Sequence, residues 1–313
     1  MKPLALLLCS LLLLPVVPLV AQPLPPAREK VILDTDIGDD IDDAYALAML
    51  TRLPNVELLG VTTTFGKTAE RATLAAKLLK ALGLPRVPVC AGRQGEAGVG
   101  RQAEWGRGFA SKSLRPQTAV EFLRGQIERY PGQITLIGIG ALTNLGDLVT
   151  QHPELRSKIR GIVIMGGSVY VGYGGKPTPD VEWNIRCDPP AAKAVFTSGV
   201  PLTMAGLEVT AMMQLEEENR KRIYARGTPD TDALAALTAL WGGGTPTLFD
   251  AVAAAYAAGF SFSDSEKRRV VVENDGLTRI VPGEPNVTVL VKPRKEEFLS
   301  WFTATLAQNG ARR

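Results

Sequence analysis

From Lys30 onward the chain alternates between short runs that are apolar throughout and longer stretches rich in alanine and leucine. The short runs are VILDTD (31–36), ELLGVTTT (57–64), VPVCAG (87–92), QITLIGIG (133–140), GIVIMGG (161–167), PLTMAG (201–206), RVVVEN (269–274) and NVTVLVK (286–292). A run without polar alternation suits a strand covered on both faces, as in a parallel sheet between helices. Between them, IDDAYALAMLTRL (41–53), AERATLAAKLLKALG (69–83) and QTAVEFLRGQIERY (117–130) read as helices, and KEEFLSWFTATLAQ (295–308) as a closing helix. No internal repeat or low-complexity linker interrupts this order. The pattern predicts one α/β domain over about 30–310, with a mostly parallel central sheet flanked by helices.

Two glycine-rich stretches break the rhythm, GRQGEAGVGRQAEWGRG (92–108) and SVYVGYGGKPTPDVEWN (168–184). Both follow predicted strands, which places them at the C-terminal edge of the sheet, where open α/β folds build their sites. The first also suits a solvated surface loop; the second carries candidate chemistry described below.

The amino terminus has a different pattern. Lys2 precedes the apolar run LALLLCSLLLLPVVPLV, followed by AQPLPPAREK. A charged start, a moderate apolar run containing Pro15 and Pro18, and a small residue at Ala21 read as a secretory signal peptide over 1–21, with a flexible segment over 22–29. No stop-transfer segment follows, so a stable membrane anchor is not expected and the destination is the periplasm or outside the cell. Beyond it, Cys90 and Cys187 are two cysteines far apart, which make no disulfide framework and read as unpaired buried residues.

Charge and composition narrow the chemistry. With 35 basic and 32 acidic side chains in 313 residues, and no lysine or arginine run, a nucleic-acid partner is not expected. A single histidine, His152, excludes a histidine-rich metal site and leaves little room for a serine or cysteine triad. His152 itself falls in Gln-His-Pro-Glu-Leu, on a predicted surface connection. Catalysis would therefore run on carboxylates.

Those carboxylates are concentrated where the first strand gives way to the first helix. Asp34, Asp36, Asp39, Asp40, Asp42 and Asp43 place six acids within ten residues. An aspartate at the helix N-cap and others in its first turn account for two or three. The remainder need a cation, and carboxylate oxygens select a hard one such as calcium or magnesium. The segment lacks the DxDxDG and closing glutamate of an EF-hand loop. Asp34-x-Asp36 fits the start of a DxD-type phosphatase, but the Ile-Gly-Asp-Asp that follows does not.

DTDIGDDIDDAYALA (34–48) resembles the amino-terminal signature of the calcium-dependent nucleoside hydrolases of the inosine–uridine-preferring type, DTDPGxDDAxAL, in a branch with two additional residues before DDA. The resemblance continues in order through VELLGVTTTFGKTAERATLAAKLL (56–79), VPVCAG (87–92), IGIGALTNLGDL (137–148), IRGIVIMGG (159–167), PTPDVEWNIRCDPPAAKAVF (177–196) and VENDGLTR (272–279). It implies that Asp36, Asp43 and Asp250 bind calcium together with the main-chain oxygen of Ile139. It further implies that Asp36 acts as general base, that Asp42 binds a ribose hydroxyl, and that Glu182 and Asn184 grip the sugar. Asp40 falls in the insertion and receives no role. The family also implies a homodimer or homotetramer.

Some residues have simpler readings. Asp188, before Pro189-Pro190, suits an N-cap; Asn144 ties down a helix start; Trp183 packs beneath its loop or stacks on a base. Three departures from the family pattern matter more. A histidine that precedes the last metal aspartate in the inosine–uridine branch is Phe249 here, which can stack on a base but cannot donate a proton. Two family asparagines appear as Lys67 and Lys176, which could enter the pocket as substrate-binding cations or point outward. The reading that follows is a secreted calcium-dependent N-ribosyl hydrolase acting on a nucleoside or a related ribosylated compound. The alternatives are a metal-dependent ribose- or nucleoside-binding protein that has lost catalysis and, further off, a DxD-type phosphatase.

Overall fold

A computed structural model describes residues 28–308. The predicted signal peptide, and most of the segment expected to follow it, lie outside the described residues.

Strand β1 (Glu29–Thr35) shows why an apolar run without alternation was informative. Val31 and Leu33 pack into one core cluster and Ile32 into a second, so each face of the strand is buried. The remaining strands are β2 (Val56–Thr63), β3 (Val89–Ala91), β4 (Leu114–Arg115), β5 (Ile134–Gly138), β6 (Gly161–Met165), β7 (Leu202–Ala205), β8 (Ser263–Arg268), β9 (Val270–Val272), β10 (Thr278–Ile280) and β11 (Val287–Pro293). Nine of them form one sheet in the order β4-β3-β2-β1-β5-β6-β7-β11-β8, and all pair in parallel except β8, which runs antiparallel to β11 at the edge. The order reverses direction at β1, between β2 and β5, which opens a crevice at the carboxyl ends of these strands.

Helices cover both faces. In chain order they are α1 (Asp42–Arg52), α2 (Thr68–Ala81), α3 (Ala103–Gly106), α4 (Ala119–Arg129), α5 (Thr143–Gln151), α6 (Trp183–Cys187), α7 (Pro189–Phe196), α8 (Leu207–Thr210), α9 (Glu217–Tyr224), α10 (Pro229–Trp241), α11 (Phe249–Ala257) and α12 (Lys295–Ala307). The apolar residues of α1, α2, α10, α11 and α12 fill one core, and those of α4, α5 and α7 fill the other. Among the described residues no helix is long and apolar enough to cross a membrane.

One expectation is corrected, and one strand was not foreseen. RVVVEN does not enter the central sheet: β9 pairs only with β10, as a separate antiparallel ribbon. The ninth strand is instead β8, SDSEKR, whose charged side chains suit an exposed edge and left no apolar run to find. Cys90 and Cys187 are both free thiols, as expected, Cys90 buried and Cys187 only partly so, and burial pushes each up to about 12.

Candidate active site

The crevice at the strand-order reversal holds a cavity of about 210 Å³. Its floor comes from the turn between β1 and α1 and the first residues of α1, which supply Asp36, Asp39, Asp40, Asp42 and Asp43, and from Asp250 in the first turn of α11; Phe249, one residue earlier, lines the cavity towards its mouth against Tyr173. Ile139 lies just past β5, and Met165 ends β6. Tyr173, Glu182, Trp183 and Asn184 come from the second glycine-rich stretch.

The β1–α1 turn is shaped by more than the helix it precedes. The N-cap of α1 is Ile41, which makes no side-chain cap bond; no aspartate occupies that position. Asp42 and Asp43 sit in the first turn, where the helix dipole favours negative charge, but both project into the cavity lining. Gly38 has φ +126°, and a Cβ there would meet Val99 Cγ1 at 2.5 Å, so only glycine fits the bend. Gly140 plays a similar part behind Asp36: a Cβ would come within 2.8 Å of Asp36 N and Oδ1.

The carboxylates themselves are crowded and dry. Asp42, Asp43 and Asp250 offer oxygens that all lie within 4.8 Å of one another. Asp250 N donates to Asp42 Oδ2 at 3.1 Å, joining α11 to α1, and Thr35 Oγ1 donates to Asp43 Oδ1. The closest group thus includes Asp42, which the family resemblance assigned to a ribose hydroxyl; Asp36 adjoins it in the same cavity. Burial pushes the carboxyl of Asp36 up to about 7, against the opposing pull of the Arg71 guanidinium. Burial, then neighbouring carboxylates, raises Asp42, Asp43 and Asp250 well above the usual carboxylate range. Behind them, Asp34 is also pushed up to about 7 by burial, although Thr62 Oγ1 and Asn144 Nδ2 donate to its Oδ1 at 2.6 and 2.7 Å.

Glu182 and Asn184 are buried where the second loop enters α6. Glu182 caps that helix, its Oε1 accepting Asn184 N at 2.9 Å and its Oε2 accepting Gly167 N and Ile185 N at 3.0 and 3.1 Å. Burial raises its carboxyl, and these N–H donors work against the rise. Asn184 Nδ2 donates to the main-chain oxygens of Ile139 and Met165 at 3.2 and 3.0 Å.

Neither lysine lines the cavity: of the two placements open to them, both take the outward one. Lys67 precedes α2 and pairs with Glu70 at 3.6 Å, one helical turn on; Lys176 pairs with Asp180 at 2.6 Å. Each is about half exposed, and a nearby carboxylate with solvent hydrates an ammonium better than a closed cavity would. Asp188 caps α7, accepting Ala191 N at 3.1 Å, and Asn144 ties β1, β2 and α5 together, as expected of both. His152 pairs with Glu154 at 3.3 Å on the connection after α5 and takes no part in the site. Trp183 does not lie beneath its loop: it is 43% exposed at the cavity mouth, edge-on to Phe65 and beneath the Arg186 guanidinium.

Four residues went unread in the sequence. Arg71, fully buried, donates to Phe65 O, Asp36 O and Ile37 O and pairs with Asp39 at 2.7 Å, bracing the acidic turn from below. Gln102 Nε2 donates to Asp40 O at 2.7 Å, and Gly100 N to Asp39 Oδ1 at 2.7 Å, so the first glycine-rich stretch is a second brace and not a free surface loop. Tyr173 stands edge-on to Phe249, with ring centroids 6.1 Å apart. Arg71 sits at an ordinary helical position and Tyr173 among glycines, and neither carries a local signal.

The fold that carries this cavity is one that known proteins share. The family model for inosine-uridine preferring nucleoside hydrolase matches residues 31–300. The chain belongs to that family. It is 33% identical to the pyrimidine-specific ribonucleoside hydrolase RihA of Shewanella oneidensis, over 88% of this chain and 96% of that protein. It is 38% identical to uridine nucleosidase 1 of Arabidopsis thaliana, over 61% of this chain and 60% of that protein. Among solved structures, a plant nucleoside hydrolase superposes with a TM-score of 0.80 at 24% identity, covering 91% of this chain and all of the other, a likeness of fold. A purine-preferring ribonucleoside hydrolase from Gardnerella vaginalis gives 0.78 at 25% identity, covering 89% of this chain and 98% of the other. The protein is therefore a nucleoside hydrolase, an enzyme that cleaves N-glycosidic bonds, and the phosphatase alternative falls away.

Proposed function

We propose that this nucleoside hydrolase is an exported, calcium-dependent enzyme that splits a nucleoside into free base and ribose. The observation that carries the reading is the gathering of buried Asp36, Asp42, Asp43 and Asp250 under an aromatic mouth in one cavity. Export is supported by the Lys2-led apolar run and Ala21.

The residues fit a hard divalent cation. The donors are all oxygens, and among the described residues no lysine or arginine lines the cavity to neutralise them. Asp36, Asp43, Asp250 and the Ile139 carbonyl would hold the ion, with Asp42 beside it. When bound, calcium supplies the charge that lets these carboxylates ionise side by side and makes a water in the cavity more acidic.

The side chains then divide the work. Asp36 takes the proton of the attacking water at a carboxylate oxygen, as general base. Asp42 accepts a hydrogen bond from a ribose hydroxyl. Asn184 Oδ1, which accepts no hydrogen bond from the described residues, is available to a second hydroxyl, and Glu182 is held beside it by its three backbone donors. Phe249, Tyr173 and Trp183 enclose the base and exclude water while the sugar passes through an oxocarbenium-like transition state.

The test is to incubate the purified protein with calcium and a panel of purine and pyrimidine nucleosides, headed by uridine and cytidine, and to measure free base and reducing sugar. Release that a chelator and Asp36→Asn both abolish supports the reading. Binding of ribose without release from any nucleoside sinks it in favour of a binding protein.

A further inference from the structure

Breaking an N-glycosidic bond drives its electron pair onto the base, so a base that leaves as a neutral molecule must receive a proton. Few groups in the cavity can supply one. Asp36 is committed to the water, and Asp42, Asp43 and Asp250 share the floor with it. Phe249, at the mouth, has no transferable proton.

Tyr173 has one, and it is unspent. Its ring stands edge-on to Phe249, which places it at the mouth where the base must lie if the sugar meets the carboxylates. Its hydroxyl oxygen accepts the Trp183 N–H at 2.9 Å, while its own hydrogen has no acceptor among the described residues. The accepted N–H stabilises the phenolate that remains after donation. Burial raises the phenol above its ordinary range, so it stays protonated at neutral pH.

The loop around it is built to hold this position. Asp180 accepts the Tyr173 N–H on Oδ2 at 2.9 Å and the Lys176 ammonium on Oδ1 at 2.6 Å. Gly172 N closes the turn on Lys176 O at 2.9 Å, with Gly174 at φ +66° between them. Lys176, outside the cavity, thus pairs with the carboxylate that holds the Tyr173 backbone.

We infer that Tyr173 is the catalytic residue that protonates the departing base. The inference rests on the hydrolase reading above. As the bond from the anomeric carbon to the base nitrogen breaks, its electron pair passes to the base, which takes the Tyr173 hydroxyl proton. The water oxygen bonds to the anomeric carbon, and its proton goes to Asp36. Transfer through solvent from Asp36 to the phenolate restores both groups, so the sum is nucleoside plus water giving base plus ribose.

Tyr173→Phe removes the hydroxyl and keeps the ring against Phe249. Wild type and variant are assayed with calcium on uridine, inosine and p-nitrophenyl β-ribofuranoside, whose leaving group departs as a stable anion and needs no proton. For the nucleosides, kcat should fall roughly 10²-fold or more, the usual contribution of a general acid, while kcat on the p-nitrophenyl riboside stays within about 3-fold. Tyr173→His, which restores a proton donor, should regain part of the nucleoside activity. Equal losses on both substrate types, or no loss on either, overturn the role of Tyr173. A wild-type protein that cleaves neither type overturns the hydrolase reading as well.

Discussion

The acidic turn between β1 and α1 and the loop over 168–184 face each other across one cavity and are built in opposite ways. The turn carries its function on charge, and almost everything around it restrains that charge. Arg71 and Gln102 hold its backbone, Gly38 permits its bend, and the adjoining strand and helix are buried. The loop brings aromatic faces together with the buried Glu182 and Asn184, and carboxylates hold its backbone while its rings stay partly exposed. Glu208 Oε1 gathers the N–H groups of Val169, Tyr170 and Val171, and Asp180 gathers Tyr173, leaving Tyr170, Tyr173 and Trp183 about 40% exposed. Crowded like charges demand a rigid frame, because any relaxation separates them and dissolves the cation site. A surface that meets a flat base works with exposed rings whose backbone is held.

The contrast predicts that breaking the turn abolishes chemistry, whereas breaking the loop retunes it. The largest effect falls on Asp36→Asn, which keeps the shape and loses the base: kcat on uridine should drop roughly 10³-fold, within the range for general-base loss. A residual rate within 10-fold of wild type would place the base elsewhere. Next comes the frame. Arg71→Met leaves Asp39 without its cation and takes a donor from four carbonyls, those of Asp36, Ile37, Phe65 and Gly98, and should destabilise the fold by about 3 kcal/mol, read by denaturant unfolding; a change under about 1 kcal/mol would mean that the guanidinium is not a brace.

Removing the cation sharpens the comparison through pH. Burial holds the Asp36 carboxyl at about 7 against an ordinary 3.8, and its neighbours are raised as well. In the chelated protein the native state therefore binds more protons than the unfolded chain across that window. Its stability is highest below it and falls as pH rises through it. Calcium favours the ionised carboxylates and should reverse the trend. Thermal melts at about pH 5 and about pH 8, with chelator and with calcium, read this directly. Identical pH dependence in both would separate the carboxylates from any cation.

The smallest effects belong to the mouth and its surroundings. Trp183→Ala should raise KM for nucleosides by roughly 10-fold, about the worth of one stacked aromatic, with kcat nearly unchanged. Lys67→Met should leave both constants within about 2-fold, since its ion pair with Glu70 is exposed. A larger loss for Lys67 would restore it to the site.

The sequence by itself determined the α/β class, the strand at 31–36 and the concentration of carboxylates after it; the link of that segment to Asp250 and the 177–196 region came from the family resemblance alone. These are legible because burial on both faces writes an unbroken apolar run, and because charges packed at one strand end have few readings in physical terms. What only the tertiary structure decided is where long side chains go. Lys67 and Lys176 could enter the cavity or leave it, and each found a carboxylate outside. Arg71 looked like any helical arginine, yet it is the fully buried brace, because α2 packs directly beneath the acidic turn. Tyr173 lies far along the chain from Phe249, and the two meet because the loop after β6 and the start of α11 converge at the same edge of the sheet. Local composition reports burial and charge density; the direction of a side chain is set by contacts between segments distant in sequence.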